Sequence, residues 1–146
     1  MRDLIEDFVS RPVWAVVGFS ADPLKFGHQI YFDLQRAGYQ VYAVNRRGGR
    51  QAGESVFPSV EQLPVPVDVV DVVVPPEEGI HVVRQCAHRN LGRVWLQPGA
   101  ESFEIIRFCE RQQMQVVFDA CAMVEKKRFV HCPDSAQASV ERQEEK

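Results

Sequence analysis

The sequence predicts an α/β fold, a single doubly wound parallel sheet of about five strands covered by helices on both faces. Three observations carry that prediction. Short apolar runs rich in valine recur at 13–18, 40–44, 67–74, 93–97 and 115–119. Runs this short and this continuously apolar are those of strands buried on both faces of a parallel sheet. Between most of them lie segments with the period of an amphipathic helix, and Gly or Pro closes several of the runs (Gly18, Pro75-Pro76, Pro98-Gly99). Strands alternating with helices make right-handed crossovers, and the expected strand order is 3-2-1-4-5.

The elements follow in chain order. Residues 3–9 form a short helix with Leu4, Ile5 and Phe8 on one face, ended by Ser10-Arg11-Pro12. The first strand follows at about 13–18, ending at the glycine. A helix runs from Gly27 to Ala37, and Gly38 stands where a left-handed C-cap belongs. Gln40 to Val44 is the second strand, followed by the basic turn Asn45-Arg46-Arg47-Gly48-Gly49-Arg50 and a loop through Gly53. Ser59, followed by Glu61-Gln62, opens a helical turn that Pro64 closes. The third strand, 67–74, meets Pro75-Pro76; a helix from Glu77 to Asn90 presents Ile80, Val83, Cys86 and Ala87 on one face. The fourth strand leads to a helix over 101–113, and the fifth ends at Asp119. Residues 1–132 are expected to form the domain. From Pro133 to Lys146 Val140 is the one large apolar side chain, so 133–146 is expected to be a disordered or frayed tail.

Composition removes several functions. A chain of 146 residues with 45% hydrophobic residues builds one ordinary core, and a net charge of −3 offers no general attraction to nucleic acid. No apolar run reaches the ~18 residues of a membrane span, and charges interrupt the first residues at once, unlike a secretory signal. The expected location is the cytoplasm. Cys86, Cys109, Cys121 and Cys132 form no CxxC pair, and His28, His81, His88 and His131 form no metal-binding pattern. Free thiols and no metal are the expectation.

The strand–glycine–helix corner at Gly18-Phe19-Ser20 points to a phosphorylated ligand, because glycine admits close backbone approach and a helix start offers unpaired N–H groups. In the predicted order the ligand sits outside the carboxyl ends of the first and fourth strands. That rule collects Gly18–Ser20, Asn45–Arg47, Val74–Pro76 and Gln97–Gly99. A plain NAD site needs G-x-G-x-x-G and a carboxylate at the end of the second strand for the ribose hydroxyls. Here Gly18 has no second glycine two residues on, and Asn45, Arg46 and Arg47 replace the carboxylate. The site therefore favours a ribose with an extra phosphate, as in NADP or coenzyme A, with at least one arginine on that phosphate. Pro75-Pro76 suits packing on a flat base, or simply stops a strand. Asp119 and Glu125 flank a turn with no nucleophile beside them, so they read as structural. Trp95 and Phe118 read as core.

The blocks Ala15-Val-Val-Gly-Phe-Ser20, Gly38-Tyr-Gln-Val-Tyr-Ala-Val-Asn45, Val67-Asp-Val-Val-Asp-Val72, Val94-Trp-Leu-Gln-Pro-Gly99 and Asp119-Ala-Cys-Ala-Met-Val-Glu125 resemble the small stand-alone CoA-binding proteins. These are similar to the N-terminal CoA-binding domain of the succinyl-CoA synthetase α subunit. The resemblance spans about 5–129 and implies a Rossmann-like fold holding coenzyme A. It implies that Gly18, Phe19 and Ser20 meet the phosphates with Lys25 as a further partner. Val44, Asn45 and Arg46 would line the adenosine side, with the arginine near the 3′-phosphate. Val74 and Pro75 would meet the adenine, and Gln97 would lie along the ligand path. Cys121, just past a strand end, becomes a candidate for a mixed disulfide with the CoA thiol, against the alternative of a small buried residue. The expected function is a CoA- or acyl-CoA-binding protein without catalytic machinery of its own, serving as sensor, carrier or regulator. The alternative is an NADP-dependent or acyl-CoA enzyme whose site is completed between subunits.

Overall fold

The computed structural model describes residues 1–129; the expected tail at 133–146 and Cys132 lie outside them. The helices are α1 (Arg2–Val9), α2 (Phe26–Arg36), α3 (Pro76–His88), α4 (Phe103–Arg111) and α5 (Ala122–Phe129). The strands are β1 (Val13–Val17), β2 (Gln40–Val44), β3 (Gly49–Gln51), β4 (Glu54–Phe57), β5 (Val69–Val72), β6 (Arg93–Leu96) and β7 (Gln115–Val117). A 3₁₀ turn covers Val60–Gln62.

The α/β class is as expected, but the sheet has seven strands rather than five, in the order β3-β4-β2-β1-β5-β6-β7. The predicted order 3-2-1-4-5 is wrong. The third predicted run, β5, lies beside β1 with Trp14 opposite Val69 and Val17 opposite Val72. Two physical causes place it there. The stretch read as a loop after β2 folds into a tight hairpin, and its second strand pairs parallel to β2 through Ala43 and Val56, filling that edge. β5 is buried at all four positions, which suits an interior slot and would leave apolar surface in water at an edge. The edge falls instead to β3, Gly-Arg-Gln, short and mostly exposed.

Alternation along the strands divides the core. Trp14 and Val16 face α1, α2 and α5, where Phe8, Ile30, Leu34 and Trp95 are fully buried. Ala15 and Val17 face α3 and α4, meeting Val83, Cys86 and Ile105. Trp14 and Trp95 pack at 5.8 Å between ring centroids, and the Trp95 indole donates to the Ala120 carbonyl at 2.8 Å. Phe118 is half-buried against the α3/α4 side. The basic run before the tail is helical: α5 turns Lys126 inward onto Asp33 of α2 at 2.8 Å, leaving the lysine side chain 8% exposed. β5 ends before Pro75-Pro76, and Pro76 begins α3, where a missing N–H costs nothing.

Candidate functional site

In this strand order the direction of winding changes between β1 and β5, so the crevice predicted beside the first and fourth strands opens beside β1 and β5 instead. Its floor is the turn after β1. Gly18 has φ +110°, a value an L side chain rarely adopts, and a Cβ there would stand 3.2 Å from both Val73 Cβ and Val74 Cγ1. The Gly18 and Phe19 N–H groups both donate to the Val44 carbonyl, at 2.9 and 3.1 Å. Those two amides staple the turn to β2 and are already engaged. The Phe19 ring is buried, edge-on to Tyr31 at 4.8 Å, so this residue presents no side chain to a ligand.

The next amides, Ser20 and Ala21, have no backbone acceptor among the described residues. Around them the loop caps itself: Ser20 Oγ accepts from the Asp22 N–H, and the Asp22 carboxylate accepts from the Leu24 N–H. α2 then starts without a side-chain cap at Lys25, leaving its first N–H groups for an incoming acceptor. Gly27 lets that helix start press on the turn, for a Cβ on Gly27 would lie 2.8 Å from the Gly18 carbonyl carbon and closer still to its oxygen.

Asn45 joins the two strand ends. Its Nδ2 donates to the Phe19 carbonyl at 2.8 Å and to Gln51 Oε1 at 3.0 Å, while its Oδ1 accepts from the Arg47 and Gly48 N–H groups and from Gln51 Nε2. The amide shapes the site rather than reaching into it. Asn45→Ala should cost about 2 kcal/mol, since several half-buried partners lose their hydrogen bonds together; chemical denaturation measures this.

Two adjoining clefts result. One, of about 500 Å³, is walled by Ser20, Ala21, Arg46, Arg47 and Gln51. The other, of about 230 Å³, lies between Val17, Val44, Pro58, Val60, His81 and Val82. Asn45, Arg46 and Glu78 border both. Arg46 is 83% exposed, with its Nε 3.6 Å from Glu78 Oε2. The first cleft offers unpaired amides and two cations; the second offers apolar walls with a polar rim, the shape of a site for a flat base.

Of the residues singled out from the sequence, Ser20, Asn45, Arg46 and Arg47 meet at the first cleft, and Val44 lines the second. Lys25 is exposed at the head of α2, and Pro75 is exposed at the head of α3. Val74 is buried beneath Gly18. None of the three borders either cleft. Gln97 is 1% exposed; its Oε1 accepts from the Ala122 N–H at 3.0 Å, so it caps α5. Its Nε2 sits 3.5 Å from Cys121 Sγ. Cys121 is half-buried, whereas burial pushes the Cys86 thiol up to about 12 and the Cys109 thiol up to about 11, leaving both inert at neutral pH. Among the described residues no group of His, Cys, Asp or Glu could hold a metal ion. Reading the sequence missed Glu78, His81, Pro58 and Val60. Pro58 and Val60 lie just past the hairpin that reads as a loop in the sequence, Val60 in the helical turn expected after Ser59, while nothing local marks Glu78 or His81 as facing β2.

Comparison with known proteins fits this architecture. Residues 12–127 match a family described as CoA binding domain. The chain belongs to that family. CoA binding domain relatives include a conserved hypothetical protein of Pyrococcus furiosus, whose structure superposes with a TM-score of 0.75 at 40% identity over 77% of this chain and 97% of its own. The uncharacterized protein YneT of Bacillus subtilis is 26% identical, covering 75% of this chain and 82% of YneT. The alpha subunit of an ADP-forming acetate–CoA ligase II of Pyrococcus furiosus is 27% identical over 73% of this chain, which spans 26% of that subunit.

Proposed function

We propose that this CoA binding domain protein holds coenzyme A, or an acyl thioester of it, and has no catalytic machinery of its own. The observation that carries the reading is the pair of arginines at the end of β2, both on an amide-lined cleft, with Arg46 also bordering the apolar cleft beside it. The diphosphate would take the Ser20 and Ala21 amides and the start of α2. The base would enter between Val44, Pro58 and Val60, away from Val74 and Pro75. Arg46 and Arg47 would share the 3′-phosphate, where charge-assisted bonds add to what backbone amides supply. The thiol arm would run toward Gln97 and Cys121, with Cys121 the most accessible thiol among the three described, and Lys25, exposed at the head of α2, would be a further phosphate partner. No helix among the described residues is long and apolar enough to cross a membrane. We place the protein in the cytoplasm, as a carrier, sensor or regulator with a small-molecule partner rather than nucleic acid. The named ligase relative supports the same ligand class, though this chain matches only a quarter of its length.

Calorimetric titration with CoA, dephospho-CoA, NADP and NAD tests the reading. CoA should bind most tightly, and at 100 times its Kd it should stabilise the fold by about 2.7 kcal/mol. Arg46→Ala combined with Arg47→Ala should weaken CoA about tenfold, a loss of about 1.4 kcal/mol, and weaken dephospho-CoA much less. Binding of NADP but not CoA would overturn the assignment in favour of a nicotinamide enzyme completed between subunits.

A further inference from the structure

A carboxylate from another element reaches the arginine at the end of β2. Pro75 and Pro76 start α3 so that the Glu78 N–H bonds to the Pro75 carbonyl at 3.0 Å, and the Glu78 side chain projects to the border of both clefts. Glu78 is the anion that Arg46 meets, at 3.6 Å, and it is only 34% exposed. A phosphate that comes to Arg46 therefore meets this carboxylate beside the same guanidinium: it competes with Glu78 for the positive charge and is repelled by it across the cleft wall. A ribose without the phosphate brings no such conflict, because the Arg46–Glu78 pair can stay closed.

We propose that Glu78 is a specificity-determining residue of this site: an internal carboxylate that competes with the ligand's ribose phosphate for Arg46 and so limits the preference for phosphorylated over unphosphorylated ribose. The inference rests on the CoA reading of the clefts. The pair is loose and its Arg46 end is exposed, so its competition is worth what surface pairs are worth, roughly a three- to fivefold change in affinity. The pyrophosphate, anchored on Ser20 and Ala21, is common to both ligands and cancels in their ratio.

The experiment is a titration of wild type, Glu78→Gln and Glu77→Gln with CoA and dephospho-CoA at low and high salt. Glu77 is exposed on the same helical turn and borders neither cleft, so it controls for the general loss of one negative charge. Glu78→Gln should raise the CoA to dephospho-CoA affinity ratio about three- to fivefold at low salt, with the gain shrinking at high salt. Glu77→Gln should leave the ratio within about twofold, since a solvated charge acts weakly at that range. A wild type that prefers CoA, together with an unchanged or lowered ratio in Glu78→Gln, overturns the role of Glu78 alone. A wild type that binds neither nucleotide overturns the site reading and this inference with it.

Discussion

Gly27→Ala should unfold this protein's ligand corner. The alanine Cβ would fall 2.8 Å from the Gly18 carbonyl carbon and closer to its oxygen, and both are backbone atoms. Backbone cannot rotate aside as a flexible side chain does. Gly18 itself is held by its N–H bond to Val44 and by Val73 and Val74 packed against it. The remaining way out is for α2 to withdraw, which strips Ile30, Tyr31 and Leu34 from the face they share with Phe19 and Trp14. Overpacking against a rigid neighbour combined with lost burial should cost about 3–5 kcal/mol. For a domain of this size that lowers Tm by roughly 10–15 °C. Gly92→Ala is the matched control, because a Cβ there meets nothing within 4 Å; it should change Tm little. Calorimetry of both variants decides the matter. If Gly27→Ala melts with the wild type and binds CoA as well, the helix start is not held by this close approach.

The corner was legible in the sequence because its causes are local. An apolar run, a glycine forced to positive φ and a helix start are all written within a few residues, and Val13 to Ser20 folds as those residues require. The position of β5 was not legible. Its apolar run states burial on both faces but names no neighbour, and the stretch between β2 and β5 hid a hairpin built from Arg50, Ser55 and glycines, too short and polar to show period-two alternation. The same limit hid α5, whose Lys126 reads as a surface cation until Asp33 comes across from α2 to bury it. At the site, Asn45, Arg46 and Arg47 were findable because the end of a strand is a defined place. What Asn45 does was not findable, since its partners Phe19 and Gln51 arrive only with the tertiary fold. Gln97 follows the same rule: its place at a strand end could be read from the sequence, but the helix that its amide caps after β7 could not.

Asp71 should make the protein less stable as the pH rises, and Asp71→Asn should abolish that trend. The residue sits in the middle of the sheet, opposite Val16 on one side and Trp95 on the other, fully buried, and neither carboxyl oxygen has a hydrogen-bond partner among the described residues. Burial raises its pKa well above the ordinary 3.8. The sign follows from proton counting. Above pH 3.8 the unfolded chain releases this proton while the folded chain keeps it, so unfolding is favoured increasingly as pH rises, until the folded pKa is reached. While the carboxyl stays protonated the loss is about 1.4 kcal/mol per pH unit. An asparagine side chain at this position would have the same shape and no proton to lose. Denaturant unfolding of wild type and Asp71→Asn at pH 5, 6 and 7 should therefore diverge, the wild type losing stability relative to the variant wherever the pH lies below the folded pKa, by no more than about 1.4 kcal/mol per pH unit. The other titrating groups are common to both chains and cancel in the difference. Parallel curves would mean that Asp71 is ionised in the fold and held by a partner such as an internal water. The location gives the result its weight: two residues on, the Val73 N–H bonds to Val17 and its side chain lies against Gly18, so a charge forming at Asp71 would load the strand end that shapes the ligand turn.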